Sequence, residues 1–152
     1  MLLNVILGFV IPIVVGCWIL RKSLNLLLIF FPFGVATSTV FNNIGFNYFW
    51  HLAPEFTNRS FAALPFDVGL FPMAGCLMIY FINRHRAHPW IAVFVSALML
   101  TIVEWIAKEY GKVWYFNGWN IFWSYVSYLI PMVMAYLYSS IFFKVFKTRN
   151  PS

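Results

Sequence analysis

Five apolar runs, each long enough to cross a lipid bilayer, follow one another along a chain of 152 residues and leave little else to fold. They extend approximately from Leu2 to Leu20, Leu24 to Phe41, Phe66 to Ile82, Trp90 to Ala107 and Ile121 to Phe143. A spanning helix needs about 20 mostly apolar residues. A transmembrane barrel would instead show segments near 10 residues alternating in polarity, and no such alternation occurs. Only 9% of the residues are charged, against about a quarter in a soluble globular domain. The sequence therefore predicts an all-α integral membrane protein, a bundle of five transmembrane helices in one domain of a cell membrane. No linker or low-complexity tract divides it. The third run is short, so its helix is expected to tilt little or to extend at its ends.

Basic residues gather in loops that stay in the cytoplasm. Arg21, Lys22, Arg84, Arg86, Lys144, Lys147 and Arg149 fall on one side of the implied bilayer, and Arg59, Lys108 and Lys112 on the other. This imbalance predicts an outside N-terminus and a cytoplasmic C-terminus. The first run is read as a retained reverse-oriented anchor, because Met1 to Asn4 carries no basic residue, no A-x-A-like site follows, and Arg21 and Lys22 come after the apolar run.

A net charge of +6 would suit a nucleic-acid partner if it were concentrated. Here the cytoplasmic cations are scattered at helix ends, where they set topology and meet anionic headgroups, so nucleic acid is not expected. The lipid bilayer is the first partner, with a homo-oligomer or another membrane protein as a further one. Cys17 and Cys76 lie within apolar runs and read as packing residues. His85 and His88 are surrounded by cations and lack a third ligand, and the spacing of His51 and Glu55 is interrupted by Pro54. No metal or cofactor is predicted, and no G-x-S-x-G, H-E-x-x-H, P-loop or dinucleotide fingerprint occurs.

All four acids, Glu55, Asp67, Glu104 and Glu109, fall on the outer side. Asp67 follows Pro65 at the expected start of the third helix, where a carboxylate meets the positive end of the helix dipole. Glu104 is less comfortable, about one turn inside the outer end of its helix and near the negative end of the dipole. Two readings stand open. Either Glu104 pairs with Lys108, four residues on, and snorkels to the interface, or it is an intramembrane functional acid facing the bundle interior. Thr101 and Ser96 continue a partly polar stripe inward, and Asn43, Asp67, Ser124 and Tyr128 lie at matching depth on other helices. Single hydroxyls, however, often bond only their own helix backbone. Trp105, Trp119 and other rings crowd the outer boundary, as an aromatic belt or as the wall of a pocket. The segment VWYFNGWN, from Val113 to Asn120, has room for a short interfacial or re-entrant piece turning at Gly118.

The stretches LPFDVGLFP, from Leu64 to Pro72, and IVEWIAKEYGKVWYFNGWNIFWSYVSY, from Ile102 to Tyr128, resemble a family of small multi-pass membrane proteins from endospore-forming Firmicutes. The resemblance covers somewhat over half of the chain. It implies that Phe66, Asp67, Leu70, Phe71 and Pro72, then Glu104 and Trp105, then Gly118, Trp119 and Ser124 belong to the family pattern, and it implies no biochemical function. A fainter likeness to membrane lycopene cyclases runs from Trp50 to Phe71 through Pro54-Glu55 and Leu64-Pro65-Phe66-Asp67. It would imply acid catalysis, but Val68 stands where that motif has a second acid.

The leading expectation is a non-enzymatic membrane protein with an outward acidic and aromatic site that binds a partner protein, a lipid or a small polar ligand. Its residues are Asp67, Glu104, Lys108, Arg59, Asn43, Trp105, Trp119, Ser124 and Tyr128, with Lys108 or Arg59 compensating Glu104. The alternative is a proton-linked carrier, or a cyclase-like enzyme, using Glu104 and Asp67.

Overall fold

The structure, a computed structural model, describes residues 1–21 and 23–149, with side chains as far as Val145. Lys22 lies outside the described residues, as do the side chains of Lys147 and Arg149, which the charge argument above also used. Five long helices dominate: α1 (Leu2–Leu20), α2 (Leu24–Tyr48), α3 (Ser60–Arg84), α4 (Pro89–Glu109) and α5 (Ile121–Arg149). Each is long and apolar enough to cross a membrane.

Two boundaries differ from the hydropathy reading. Helix α2 continues past Phe41 because its asparagines find partners where they stand: Asn47 Nδ2 donates to the Asn43 carbonyl at 2.9 Å, and Asn42 turns inward. Helix α3 begins at Ser60, not Phe66. Its first turn is supported by the Asn58 side chain, which accepts from the Ser60 amide at 3.1 Å. Pro65 therefore sits inside the helix, and Asp67 lies two turns from its N-terminus. The carboxylate does not cap the helix dipole, contrary to the sequence expectation.

Helix α3 is the centre of the bundle. Buried residues make up 61% of its most apolar window, against at most 22% in the other four helices. It packs most closely on α2 and also meets α1 and α4, while α4 pairs with α5. Leu20, Phe30, Met73, Cys76, Ile79 and Val93 form much of the core. Large apolar side chains such as Leu28, Ile91 and Ile141 are exposed on the outside of the bundle.

Helices α1 and α3 each contain a π turn, Ile6–Val10 and Phe66–Leu70, in which the amides of Ile11 and Phe71 donate to the carbonyls five residues earlier. In both, proline follows two residues after the turn, at Pro12 and Pro72. Proline has no amide to donate, and the irregular turn accommodates the loss locally. The two π turns lie against each other at a glycine contact. A Cβ added at Gly69 would stand 2.1 Å from the Gly8 carbonyl oxygen. Only glycine lets the backbones approach this closely, as small residues do at helix interfaces in membranes.

One end of the bundle is tied by a two-stranded antiparallel ribbon absent from the sequence reading. Strand β1 (Trp50–Leu52) pairs with β2 (Val113–Tyr115), with Trp50 opposite Tyr115 and Leu52 opposite Val113. The ribbon joins the α2–α3 connection to the α4–α5 connection, and Asn4 of α1 donates to the Ala53 and Ala62 carbonyls at 2.8 and 3.0 Å. This is called the ribbon end below.

Replacing Gly69 by alanine is expected to destabilise the protein by about 1–3 kcal/mol through overpacking against α1. Gly75→Ala, where an added Cβ meets nothing within 4 Å, is expected to be neutral or slightly stabilising. Thermal unfolding of both variants in detergent checks the contrast.

Candidate functional site

Glu104, one turn before the end of α4, faces α5 and the ribbon, not its own helix neighbour Lys108. Its Oε1 accepts from the Tyr115 hydroxyl at 2.5 Å and from Ser124 Oγ at 2.7 Å, and its Oε2 accepts from the Tyr128 hydroxyl. The Ser124 and Tyr115 oxygens are 3.1 Å apart, each spending its proton on the carboxylate. Ser124 is buried and its free lone pair accepts from Trp119 Nε1 at 3.0 Å. Hydrogen bonds to an ionised acceptor are about twice as strong as neutral ones, so three hydroxyls stand in for a cationic partner at this partly buried carboxylate.

Local sequence explains how these donors converge. The Asn117-Gly118 pair, both at positive φ, turns the chain after the ribbon, and Asn117 Nδ2 is held by the Tyr48 carbonyl at 2.6 Å. Asn120 then caps α5, its Oδ1 accepting from the Phe122 and Trp123 amides at 3.0 and 3.4 Å. With the helix start set, Ser124 and Tyr128 are four residues apart on one face. Tyr115 enters from the end of β2.

The chemical environment of Tyr115 follows from this contact. Burial, and then the negative charge and hydrogen bond of Glu104, raise its phenol above the ordinary tyrosine range. Since the folded state holds the proton more tightly than the unfolded state, the stabilisation is full below the unfolded pKa of about 10 and is lost as pH rises beyond it.

Asp67 forms a second, separate acid site. It is 3% exposed, and its Oδ1 accepts from Asn42 Nδ2 at 2.6 Å. Its backbone carbonyl accepts from Ser38 at 3.1 Å. The inward partner is thus Asn42; Asn43 is exposed and its side chain accepts from Asn47.

The predicted compensating cations are elsewhere. Lys108 lies over the Tyr115 ring, 5.7 Å from its centroid, and Arg59 donates to the Phe46 carbonyl at 3.4 Å. Neither cation is paired with Glu104, and His51 Nδ1 lies 3.6 Å from Glu55 Oε1. The reading in which Glu104 pairs with Lys108 is therefore not met. Thr101 bonds the Ala97 carbonyl of its own helix at 2.8 Å, as single hydroxyls often do. Trp105 is exposed and outside the Glu104 cluster. Glu55 is exposed and paired with His51, so it shares no partner with Asp67.

A cavity of about 70 Å³ lies beside Glu104, between it and Asn42. Phe46, Trp50, Phe66, Phe71 and Tyr128 contribute rings to its wall. Trp50 is seated against Gly45, where a Cβ would fall 1.8 Å from the indole. A second cavity of about 50 Å³ shares Asn42, Trp50, Phe71, Leu100 and Tyr128 with the first and runs deeper, to Pro131 and Ala135. Among the described residues no cluster of three histidine, cysteine or acidic side chains suits a metal ion.

Sequence reasoning found Glu104, Ser124 and Tyr128 together and placed Trp119 near them. It missed Tyr115 as a donor and Asn42 as the partner of Asp67. The β-branched and aromatic run Val113-Trp114-Tyr115 carried a strand signal for the first, and hydropathy had no means to separate Asn42 from Asn43. The chain matches no protein-family profile, no curated protein and no solved structure.

Ser124→Ala and Tyr128→Phe are each expected to destabilise the protein by about 1.5–3 kcal/mol, the range for hydrogen bonds to a charged group. Combined with Glu104→Gln, each is expected to cost less than the sum of the singles, read by double-mutant cycles of thermal unfolding. In an alkaline titration of phenolate absorbance, Tyr115→Phe is expected to remove a residue ionising above the ordinary tyrosine range and to flatten the loss of stability above about pH 10.

Proposed function

We propose that this chain is a multi-pass membrane protein, N-terminus outside and C-terminus cytoplasmic, whose outer half binds a small organic cation at Glu104 without catalysing a reaction. The observation that carries the reading is a carboxylate with three hydroxyl donors and no cationic partner, lining a cavity to which Phe46, Trp50, Phe66, Phe71 and Tyr128 contribute rings among aliphatic side chains. A carboxylate offers about four acceptor positions, so a place remains for a ligand's ammonium group. Faces of Trp, Tyr and Phe attract cations, and desolvation strengthens the attraction to about 2 kcal/mol or more. One water needs about 10–15 Å³ of such space, so the cavity admits a group the size of a few waters. Residues Asn42, Trp50 and Tyr128 would orient it. The likeness to small multi-pass proteins of endospore-forming Firmicutes agrees with this setting.

The topology has support from the charges. Arg21, Arg84 and Arg86 lie at the end opposite the ribbon, and all four acids lie at the ribbon end. An excess of basic residues at the end opposite the ribbon supports a cytoplasmic position for that end and an outer one for the ribbon.

A second reading, a proton-linked carrier, is favoured by one observation, a deeper cavity that shares Tyr128 and four other lining residues with the Glu104 cavity. The two readings separate on transport. In nanodiscs, tetramethylammonium and methylammonium are expected to quench tryptophan fluorescence saturably, with at least a tenfold weaker Kd in Glu104→Gln, about 1.4 kcal/mol. Equal affinity in wild type and Glu104→Gln would sink the cation site. In sealed vesicles the binding reading expects no cation-dependent proton flux, and a flux abolished by Glu104→Gln would establish the carrier instead.

A further inference from the structure

A second, larger recess lies on the far side of α3 from α2. Helices α1 and α4 both pack on α3 and barely touch one another, leaving a cleft of about 730 Å³. Its floor is Met73, Ala74 and Leu77 of α3, and its sides include Leu7 and Val15 of α1 and Ile106 of α4. Two observations limit what can fill it.

The first is length. Along α1 the cleft runs from Leu3 to Val15 and along α3 from Phe66 to Leu77. At about 1.5 Å per residue these spans are roughly 16–18 Å, close to half of a hydrocarbon core about 30 Å thick. The recess is therefore as deep as one leaflet and begins at the ribbon end. The second is charge. Lys112 lines the ribbon-end mouth of this apolar cleft, half-buried. Its ammonium has no acidic partner within 4 Å among the described residues. A lysine laid along apolar surface keeps its head at the polar boundary, at the depth of a phosphate.

We propose that the α1–α3–α4 cleft is a binding site for one anionic phospholipid of the outer leaflet, with an acyl chain along α3 and the headgroup phosphate on Lys112. The proposal rests on the membrane reading above but not on the Glu104 cation site. The two sites are neighbours: Leu52, Phe66, Leu70, Val103 and Ala107 line both the cleft and the Glu104 cavity. A bound chain would thus complete the apolar wall that keeps water from the carboxylate.

The test reconstitutes the full chain into vesicles of equal parts phosphatidylglycerol and phosphatidylcholine, confirms flotation with the vesicles, and analyses the extracted protein by native mass spectrometry. The expected result is one retained phosphatidylglycerol per protomer. In Lys112→Gln the preference over phosphatidylcholine is expected to fall about fivefold, the effect of one lysine near an anionic surface. In Ala74→Trp, which fills the floor of the cleft, both lipids are expected to be lost. A protein that does not float with the vesicles overturns the membrane reading and this proposal with it. In a protein that floats, a lipid-free protomer, a lipid-free dimer seated through the cleft, or a preference unchanged by Lys112→Gln overturns the lipid site alone.

Discussion

A carboxylate placed on a helix this apolar has to be satisfied by groups brought to it from outside that helix, and the ribbon end is organised around that requirement. Glu104 has no acceptable partner within α4, since Lys108 lies over Tyr115 instead. Its donors come from β2 and from two successive turns of α5. Meeting them fixes the register of α5 against α4 and holds the ribbon across the helix ends. The Asn117-Gly118 turn and the Asn120 cap then act as parts of one device, setting where α5 begins so that Ser124 and Tyr128 face the acid.

The same physics explains why buried Asp67 and half-buried Glu104 are built differently. Asp67 sits in a π turn of the central helix and accepts from Asn42 of α2, so it belongs to helix packing. Glu104 lines open space. An acid that only joins helices has no need of a cavity, whereas one with an unused acceptor beside aromatic walls has the geometry of a site. Among the described residues, His51 Nε2 is the one buried side-chain polar atom without a hydrogen-bond partner. The other buried side-chain polar atoms among them are hydrogen-bonded, as is usual in folded proteins.

The packing of α1 depends on the paired π turns. Their prolines remove backbone donors, the wider turns absorb the irregularity, and the Gly8–Gly69 contact brings α1 onto α3. Because α1 is held at α3 and not at α4, a cleft stays open between α1 and α4. Close approach at one seam and a recess at the next have a common cause.

The five helices, the segregation of charge between their ends, and the prominence of Glu104 were legible in the sequence, because hydropathy, helix length and charge position are local properties of a run of residues. Ser124 and Tyr128 were legible as candidates for the same reason, through their four-residue spacing. The sequence did not decide that Asn42 and not Asn43 meets Asp67, that Pro65 lies inside α3, or that Tyr115 enters from a strand. The first rests on partners 25 residues apart, Asn42 and Asp67, and the last on a ribbon between two distant connections. Apolar length alone determined that the chain makes five helices; tertiary packing decided which polar groups meet, because a buried hydrogen bond depends on angstrom-scale placement of residues that no local pattern records.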